Sequence, residues 1–272
     1  MISRALTTVL LSGFVAGILY TGAQMLKVIP LILEAEKYEI AEITVPHSHA
    51  ASGITHDHVL NGVALDVHQR AATPHEILTA AHDHAAVAHD HATESWVPGD
   101  GAERTFYTAV SNIVTGIAFS LMLVAVYLLR GKTVDMNSGL LWGAAGFAVF
   151  ALAPALGLPP ELPGMTAAAL ESRQVWWIGT VIATAIGIGL FTESKSILPR
   201  IAALALLGAP HFIGAPHPFL FESNVPAELS AQFAVASLVT SAFLWLVLGA
   251  TSGYFYKNLV LESSGALAAA AT

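Results

Sequence analysis

Residues 229–256 read LSAQFAVASLVTSAFLWLVLGATSGYFY, an apolar stretch of 28 positions that contains no charged residue. A helix needs about 20 mostly apolar residues to cross the hydrocarbon core of a bilayer. The stretch therefore predicts a transmembrane helix, and it is the clearest indication of the fold class in the chain.

The composition of the whole chain agrees with a membrane protein. Of its 272 residues, 55% are hydrophobic and 11% are charged, whereas about 25% of the residues of an ordinary soluble domain are charged. The acidic balance excludes a basic nucleic-acid binder. The absence of cysteine excludes a disulfide-stapled protein and a thiol-ligated metal centre.

Five other apolar stretches lie before residues 229–256 in the chain. They cover residues 5–26, 105–129, 136–160, 174–192 and 201–221. We therefore expect an all-α, polytopic membrane bundle of about six helices. Prolines break the end of the third stretch, and Pro210, Pro216 and Pro218 predict that the fifth helix ends near residue 213. A re-entrant or membrane-surface segment is the alternative for this fifth stretch.

Small residues recur within the predicted spans. The pairs are Gly13 and Gly17, Gly139 and Gly143, and Gly187 and Gly189. Such residues allow helices to approach each other closely. The alternative is that membrane helices are simply rich in glycine.

Lysine and arginine are distributed unevenly among the predicted loops. With the N-terminus inside, the inner side receives Arg4, Arg130, Lys132, Lys195, Arg200 and Lys257, and the short outer loops keep Arg173. Cytoplasmic loops are enriched in these residues. We therefore expect an integral protein of the cytoplasmic (inner) membrane with both termini on the cytoplasmic side. Residues 105–257 then form the main membrane bundle and 258–272 a C-terminal tail. Cleavage of the first stretch as a signal peptide is an alternative.

Residues 34–104 form an insert of different character, which this topology places outside. They carry a net charge of -9 and ten of the 12 histidines. Since they lack a sustained apolar period, we expect loop or weakly helical sequence that is largely disordered without a ligand. Short helices are plausible at 34–42 and 74–88.

The histidines of the insert are arranged as four H-x-H pairs and two single residues. Neutral imidazole binds Zn, Cu, Ni, Co and Fe, and histidine-rich tracts commonly bind metal. Repeated and weakly organised pairs predict several exchangeable sites that collect metal, with a pH sensor and an inert polar linker as alternatives. The predicted ligands are His47, His49, His56, Asp57, His58, His68, His75, His82, Asp83, His84, His89, Asp90 and His91.

The predicted outer loops of the membrane bundle carry a second group of polar residues. We interpret them as a translocation entry for a divalent cation, since carboxylates and imidazoles on the side of the insert can receive it. They are Glu161, Glu171, Arg173, Gln174, His211 and His217. The alternative is a set of ordinary interfacial caps in which Glu171 pairs with Arg173.

Four motifs of the membrane body resemble the CbtA family of predicted cobalt transporter subunits. They are Gly13-Phe14-Val15-Ala16-Gly17 followed by Gln24, then Gly157-Leu158-Pro159-Pro160-Glu161-Leu162-Pro163-Gly164, Arg173-Gln174-x-Trp176-Trp177, and Ala215-Pro216-His217-Pro218. The resemblance covers the body nearly end to end. It implies cobalt uptake linked to cobalamin synthesis, and a small single-span partner, CbtB, that carries histidines of its own.

Together these observations predict a membrane transporter that takes up a divalent transition-metal cation. Cobalt is favoured as the transported ligand, with nickel or zinc as alternatives, and no organic cofactor is expected. A metal sensor or buffer that transports nothing is the alternative function. An enzyme is not expected, because a metalloenzyme needs a compact three-ligand site. The expected partners are membrane lipid and a CbtB-type subunit, and not nucleic acid.

Overall fold

The computed structural model describes residues 2–44, 98–218 and 223–261. The predicted metal ligands of the insert, the predicted helix at 74–88 and most of the C-terminal tail lie outside these ranges. The described residues form six helices: α1 (Ile2–Thr44), α2 (Ala102–Arg130), α3 (Met136–Ala155), α4 (Leu170–Glu193), α5 (Ile197–Ile213) and α6 (Ala227–Leu261). Strands are absent from this part of the chain, which has one isolated β-bridge between Met165 and Ser223.

Five of the six helices are long and apolar enough to cross a membrane, and α5 is the exception. Its 17 residues extend about 26 Å, less than the hydrocarbon thickness of about 30 Å. Large apolar side chains such as Leu141, Ile182 and Val239 are exposed, as expected for surfaces that face lipid. The all-α polytopic bundle is thus confirmed, and the fifth stretch forms the shortest of its helices.

Helix α1 is much longer than the predicted span of residues 5–26. Its 43 residues pass through Pro30 without ending. The predicted helix at 34–42 belongs to α1, and α2 already begins at Ala102. Helices α1 and α2 therefore extend into the two ends of the insert, 34–104.

Tertiary packing explains why α1 continues beyond residue 26. Val28 and Ala35 lie seven positions apart on one face of the helix and are buried. They form a hydrophobic cluster with Leu162, Val225 and Phe233, which come from distant parts of the chain. Apolar residues at this spacing form the buried stripe of an amphipathic helix, so the outer end of α1 is stabilised by contacts that its own sequence does not reveal.

Helices α3 and α6 end differently from the predicted spans. In α3 the residues Ala148–Leu152 are π-helical, and the helix ends at Ala155 instead of residue 160. Pro159 and Pro160 follow, and neither has an N–H to continue the helix. The last helix passes residue 257 and ends with a π-helical segment, Tyr256–Leu261. The end of α5 at Ile213 agrees with the prediction.

Glycines form the contact between α1 and α2. A Cβ atom on Gly13 would lie 2.5 Å from the backbone of Ile117, and one on Gly116 would lie 2.5 Å from the carbonyl oxygen of Gly13. Ser12 and Ser120 form a hydrogen bond of 2.6 Å in the same seam. The predicted close approach at Gly13 and Gly17 is therefore confirmed.

A second glycine contact joins α3 to α6. Gly139 and Gly143 of α3 lie against Gly249 of α6, where added Cβ atoms would collide with backbone atoms. Gly187 of α4 packs against Leu207 of α5 in a similar way, whereas Gly189 faces open space. Helices α1, α2, α3 and α6 thus form the packed centre, and α5 contacts the bundle through α4.

Candidate functional site

The segment between α3 and α4 is a rigid loop rich in proline. It is fixed at Gly157, where a Cβ atom would collide with the ring of Trp176, and at Leu162, which is 3% exposed. Gly164 adopts a φ of 79°, a conformation that favours glycine. Leu162 is packed against α1 and α6. It therefore anchors the backbone of the preceding residue, Glu161.

Glu161 forms an ion pair with Arg173 in the first turn of α4. The distance between Oε2 of Glu161 and Nη2 of Arg173 is 2.8 Å, and their side chains are 23% and 31% exposed. The structure does not show the alternative pairing of Arg173 with Glu171. Residues two apart on a helix do not face each other, so a carboxylate from the proline loop takes the place beside Arg173.

This ion pair borders a cavity of about 740 Å³ between α3, α4 and α6. The polar residues that line it are Glu161, Arg173, Gln174, Ser237 and Ser241. Its apolar lining includes the π-helical part of α3, at Phe150 and Ala151, and Trp177 and Ile178 of α4. The cavity therefore extends from a charged rim to the interior of the membrane bundle.

The sequence prediction missed the contribution of α6 to this cavity. Ser237 and Ser241 are four positions apart and so lie on one face of the helix, where both line the cavity. Their spacing within an otherwise apolar span was the available signal. Polar side chains inside membrane helices usually face the bundle interior or a cavity.

The remaining predicted entry residues lie around the other face of α4. Glu171 lines a second cavity of about 800 Å³ between α4 and α5. There Trp176 Nε1 donates a hydrogen bond of 3.2 Å to the carbonyl oxygen of Pro210, and the ring of His211 lies edge-on to Trp176 with centroids 6.0 Å apart. His217 follows α5 and is exposed.

The structure thus brings Glu161, Arg173 and Gln174 together and separates them from Glu171. Across residues 2–44, 98–218 and 223–261, no group of three or more histidine, aspartate or glutamate side chains could hold a metal ion. Glu161, Arg173 and Gln174 border one opening beside α4 and Glu171 borders a second, and both openings are lined mostly by apolar residues.

A bundle of long apolar helices defines a polytopic integral membrane protein. The family model described as "Probable cobalt transporter subunit (CbtA)" matches residues 2–257, and the chain therefore belongs to the CbtA family. Membership assigns it to metal transport, as a subunit. No curated protein and no solved structure matches the chain.

Proposed function

We propose that this subunit takes up a divalent transition-metal cation, cobalt before nickel or zinc, across the cytoplasmic membrane and supplies it for cobalamin synthesis. Membership of the CbtA family supports cobalt as cargo. An inside-negative potential favours the entry of a divalent cation by about 4.6 kcal/mol per 100 mV, since one charge contributes about 2.3 kcal/mol. Uptake by this subunit is therefore energetically allowed without ATP.

The cavity beside Glu161 is the observation that carries the proposed route. Its polar lining consists of a carboxylate, an amide and two hydroxyls besides Arg173. These oxygen donors are weaker ligands for cobalt and nickel than imidazole is. Weak ligands are appropriate inside a transport path, because an ion must bind well enough to enter and weakly enough to leave.

The second opening is proposed as the outer approach to this route. Glu171 provides a negative charge beside it, and His211 and His217 provide imidazoles near the end of α5. The two openings lie on different faces of α4. We propose that the ion reaches Glu161 from the outer surface.

The histidine-rich insert is proposed to collect metal outside the membrane. Its ligands would be the ten histidines from His47 to His91 with Asp57, Asp83 and Asp90, all of which lie outside the described residues. Outer placement follows from the lysine and arginine bias, with both termini inside. The partner implied by the word "subunit" is proposed to be a single-span, histidine-bearing CbtB-type protein.

Uptake of radioactive cobalt, nickel and zinc by cells that contain or lack the chain tests the proposal. We expect the chain to raise cobalt uptake most. Glu161→Gln should lower uptake by about tenfold, which corresponds to about 1.4 kcal/mol of lost interaction. Glu228→Gln is the matched control, because Glu228 is exposed, bonds to Gln232 and lines neither cavity.

Equal uptake with and without the chain would reject transport. In that case the metal sensor or buffer is favoured, and purified protein in liposomes should bind cobalt without any flux. A larger increase in nickel or zinc uptake would instead change the cargo. An equal effect of the two glutamine variants would reject the route past Glu161.

A further inference from the structure

The cavity beside Glu161 contains one charge of each sign. Among its lining residues in the described part of the chain, Glu161 alone is acidic and Arg173 alone is basic. The two are in contact at 2.8 Å. A cation that enters therefore meets a carboxylate whose charge the guanidinium already offsets, and the two cations compete for it.

The two partners differ in how firmly they are held. Glu161 belongs to the loop that Gly157 and Leu162 anchor by close packing. Arg173 lies in the first turn of α4, and its long side chain is 31% exposed. Arg173 can release Glu161 by moving its side chain toward solvent.

Charge decides which ions can displace Arg173. At equal distance a divalent cation is attracted to a carboxylate twice as strongly as a monovalent one. A sodium or potassium ion would replace one unit positive charge with another, and it would also lose water on entering the cavity. A divalent cation loses more hydration energy than a monovalent one, so its exchange with the guanidinium depends on the doubled attraction to the carboxylate.

We propose that Arg173 is a charge-selective gate that occupies Glu161 until a divalent cation displaces it. The inference rests on the proposed function, since it concerns ions that pass the same carboxylate. Arg173 also prevents Glu161 from remaining as an unpaired, partly buried charge, a costly state, when no metal is bound. The gate excludes monovalent ions without a rigid pore.

The test measures cobalt uptake by cells that contain the full chain, with added potassium chloride or an equal concentration of choline chloride. In the wild type, potassium should inhibit only through its effect on the membrane potential, which acts on every variant alike. In Arg173→Gln the carboxylate is open to monovalent ions, and potassium should lower cobalt uptake on the order of tenfold relative to choline. Arg173→Lys retains a mobile positive charge and should restore the wild-type resistance to potassium.

A titratable variant gives the same test within one protein. In Arg173→His the side chain is charged in acid and neutral in alkaline medium. The ratio of uptake in potassium to uptake in choline should therefore fall as the pH rises, while the wild-type ratio stays constant. This ratio cancels any effect of pH on metal capture and remains measurable if Arg173→Gln does not reach the membrane.

The outcomes separate the gate from the transport proposal. If the wild type shows no cobalt uptake, transport itself is rejected. If the wild type transports cobalt and potassium acts equally on wild type, Arg173→Gln and Arg173→His, the gate is rejected and transport stands. The ion pair would then serve only to hold the proline loop against α4.

Discussion

At the scale of single residues, the centre of the bundle depends on positions that have no side chain. Gly13 and Gly116 meet between α1 and α2, where added Cβ atoms would collide with backbone atoms that cannot move independently of their helices. Without a hydrophobic driving force between helices in lipid, such close approach provides the packing contacts. Larger residues at these positions must separate the two helices.

We expect Gly116→Ala to destabilise the folded protein. The added methyl group would lie 2.5 Å from the carbonyl oxygen of Gly13, and overpacking of this kind costs about 1–3 kcal/mol. The unfolding temperature of the detergent-solubilised protein should fall. Gly189→Ala is the matched control, since Gly189 is also helical and faces open space. An equal fall in both variants would contradict the role of the close approach.

Asn112 is a further residue that tertiary structure places in the α1–α2 seam. Its amide donates hydrogen bonds to Thr21 Oγ1, at 3.1 Å, and to Gln24 Oε1, at 2.7 Å. Gln24 follows the first of the CbtA-like motifs, but no sequence pattern pairs it with Asn112, which is 88 positions away. The hydrogen bonds account for a polar residue that would be costly in lipid.

At the scale of elements, the start of α3 depends on a capping box. Asp135 accepts a hydrogen bond of 2.9 Å from the backbone N–H of Ser138, and the hydroxyl of Ser138 accepts one of 2.9 Å from the backbone N–H of Asp135. The hydrogen bond from Ser138 lowers the pKa of the Asp135 carboxyl. A depressed pKa in the folded state means that the ionised carboxylate stabilises the fold above its ordinary value, 3.8. This contribution is lost as the pH falls through the folded pKa.

We expect Asp135→Asn to change how stability depends on pH. Asparagine also caps helices but carries no titratable charge, so the advantage of the wild type should shrink as the medium becomes acid. Unfolding temperatures of both proteins in detergent, from neutral to acid pH, measure the difference. Asp135→Ala, which removes the cap, should be less stable than Asp135→Asn at neutral pH. Parallel curves for wild type and Asp135→Asn would contradict the role of the charge.

The number of membrane crossings depends on whether α5 spans the bilayer. We expect it to cross, despite its 17 residues, because the bilayer can thin around a short helix. The chain contains no cysteine, so single cysteines at Ser196 and Asn224 can be labelled without background. An impermeant maleimide should reach the first only from the cytoplasm and the second only from outside. Labelling of both from one side would identify a re-entrant segment.

The predictability of each element follows from where its stabilising contacts lie. The spans of α2 and α6 are evident because length and apolar composition are local properties. The predicted first span ends at residue 26 because Lys27 interrupts the uncharged run, whereas the cluster that keeps the outer part of α1 helical includes Leu162 and Phe233. The partner of Arg173 was missed for the same reason, since Glu161 approaches it through the fold of the proline loop. The local arrangement of polar residues does not encode such contacts.

At the scale of the whole molecule, charge is separated between the membrane body and the insert. Residues 34–104 carry a net charge of -9, and the remainder of the chain is nearly neutral. Several charges of the body are paired near the ends of helices, as Arg130 and Lys132 are with Glu193. The excess negative charge therefore coincides with the histidines, and an insert of this kind would attract cations as well as ligate them.

Two variants of the insert distinguish metal collection by its histidines from cation attraction by its negative charge. Deleting residues 47–91 should reduce cobalt uptake mainly at low cobalt concentration, since a collector raises the local concentration and adds little once the entry is saturated. A variant in which the ten histidines from His47 to His91 become glutamine keeps the length and the acidic residues. If imidazoles ligate the metal, this variant should resemble the deletion; if charge alone attracts it, the variant should resemble the wild type.

The pH dependence provides an independent check on the same variants. Histidine must be deprotonated to bind metal, and its ordinary pKa is about 6.5. As the external pH falls through this range, the advantage of the wild type over the glutamine variant at low cobalt should disappear. Any effect of pH on the membrane body, which contains His211 and His217 in both proteins, cancels when their uptakes are compared. A loss of equal size at all cobalt concentrations and all pH values would show that the insert supports folding or assembly instead of collecting metal.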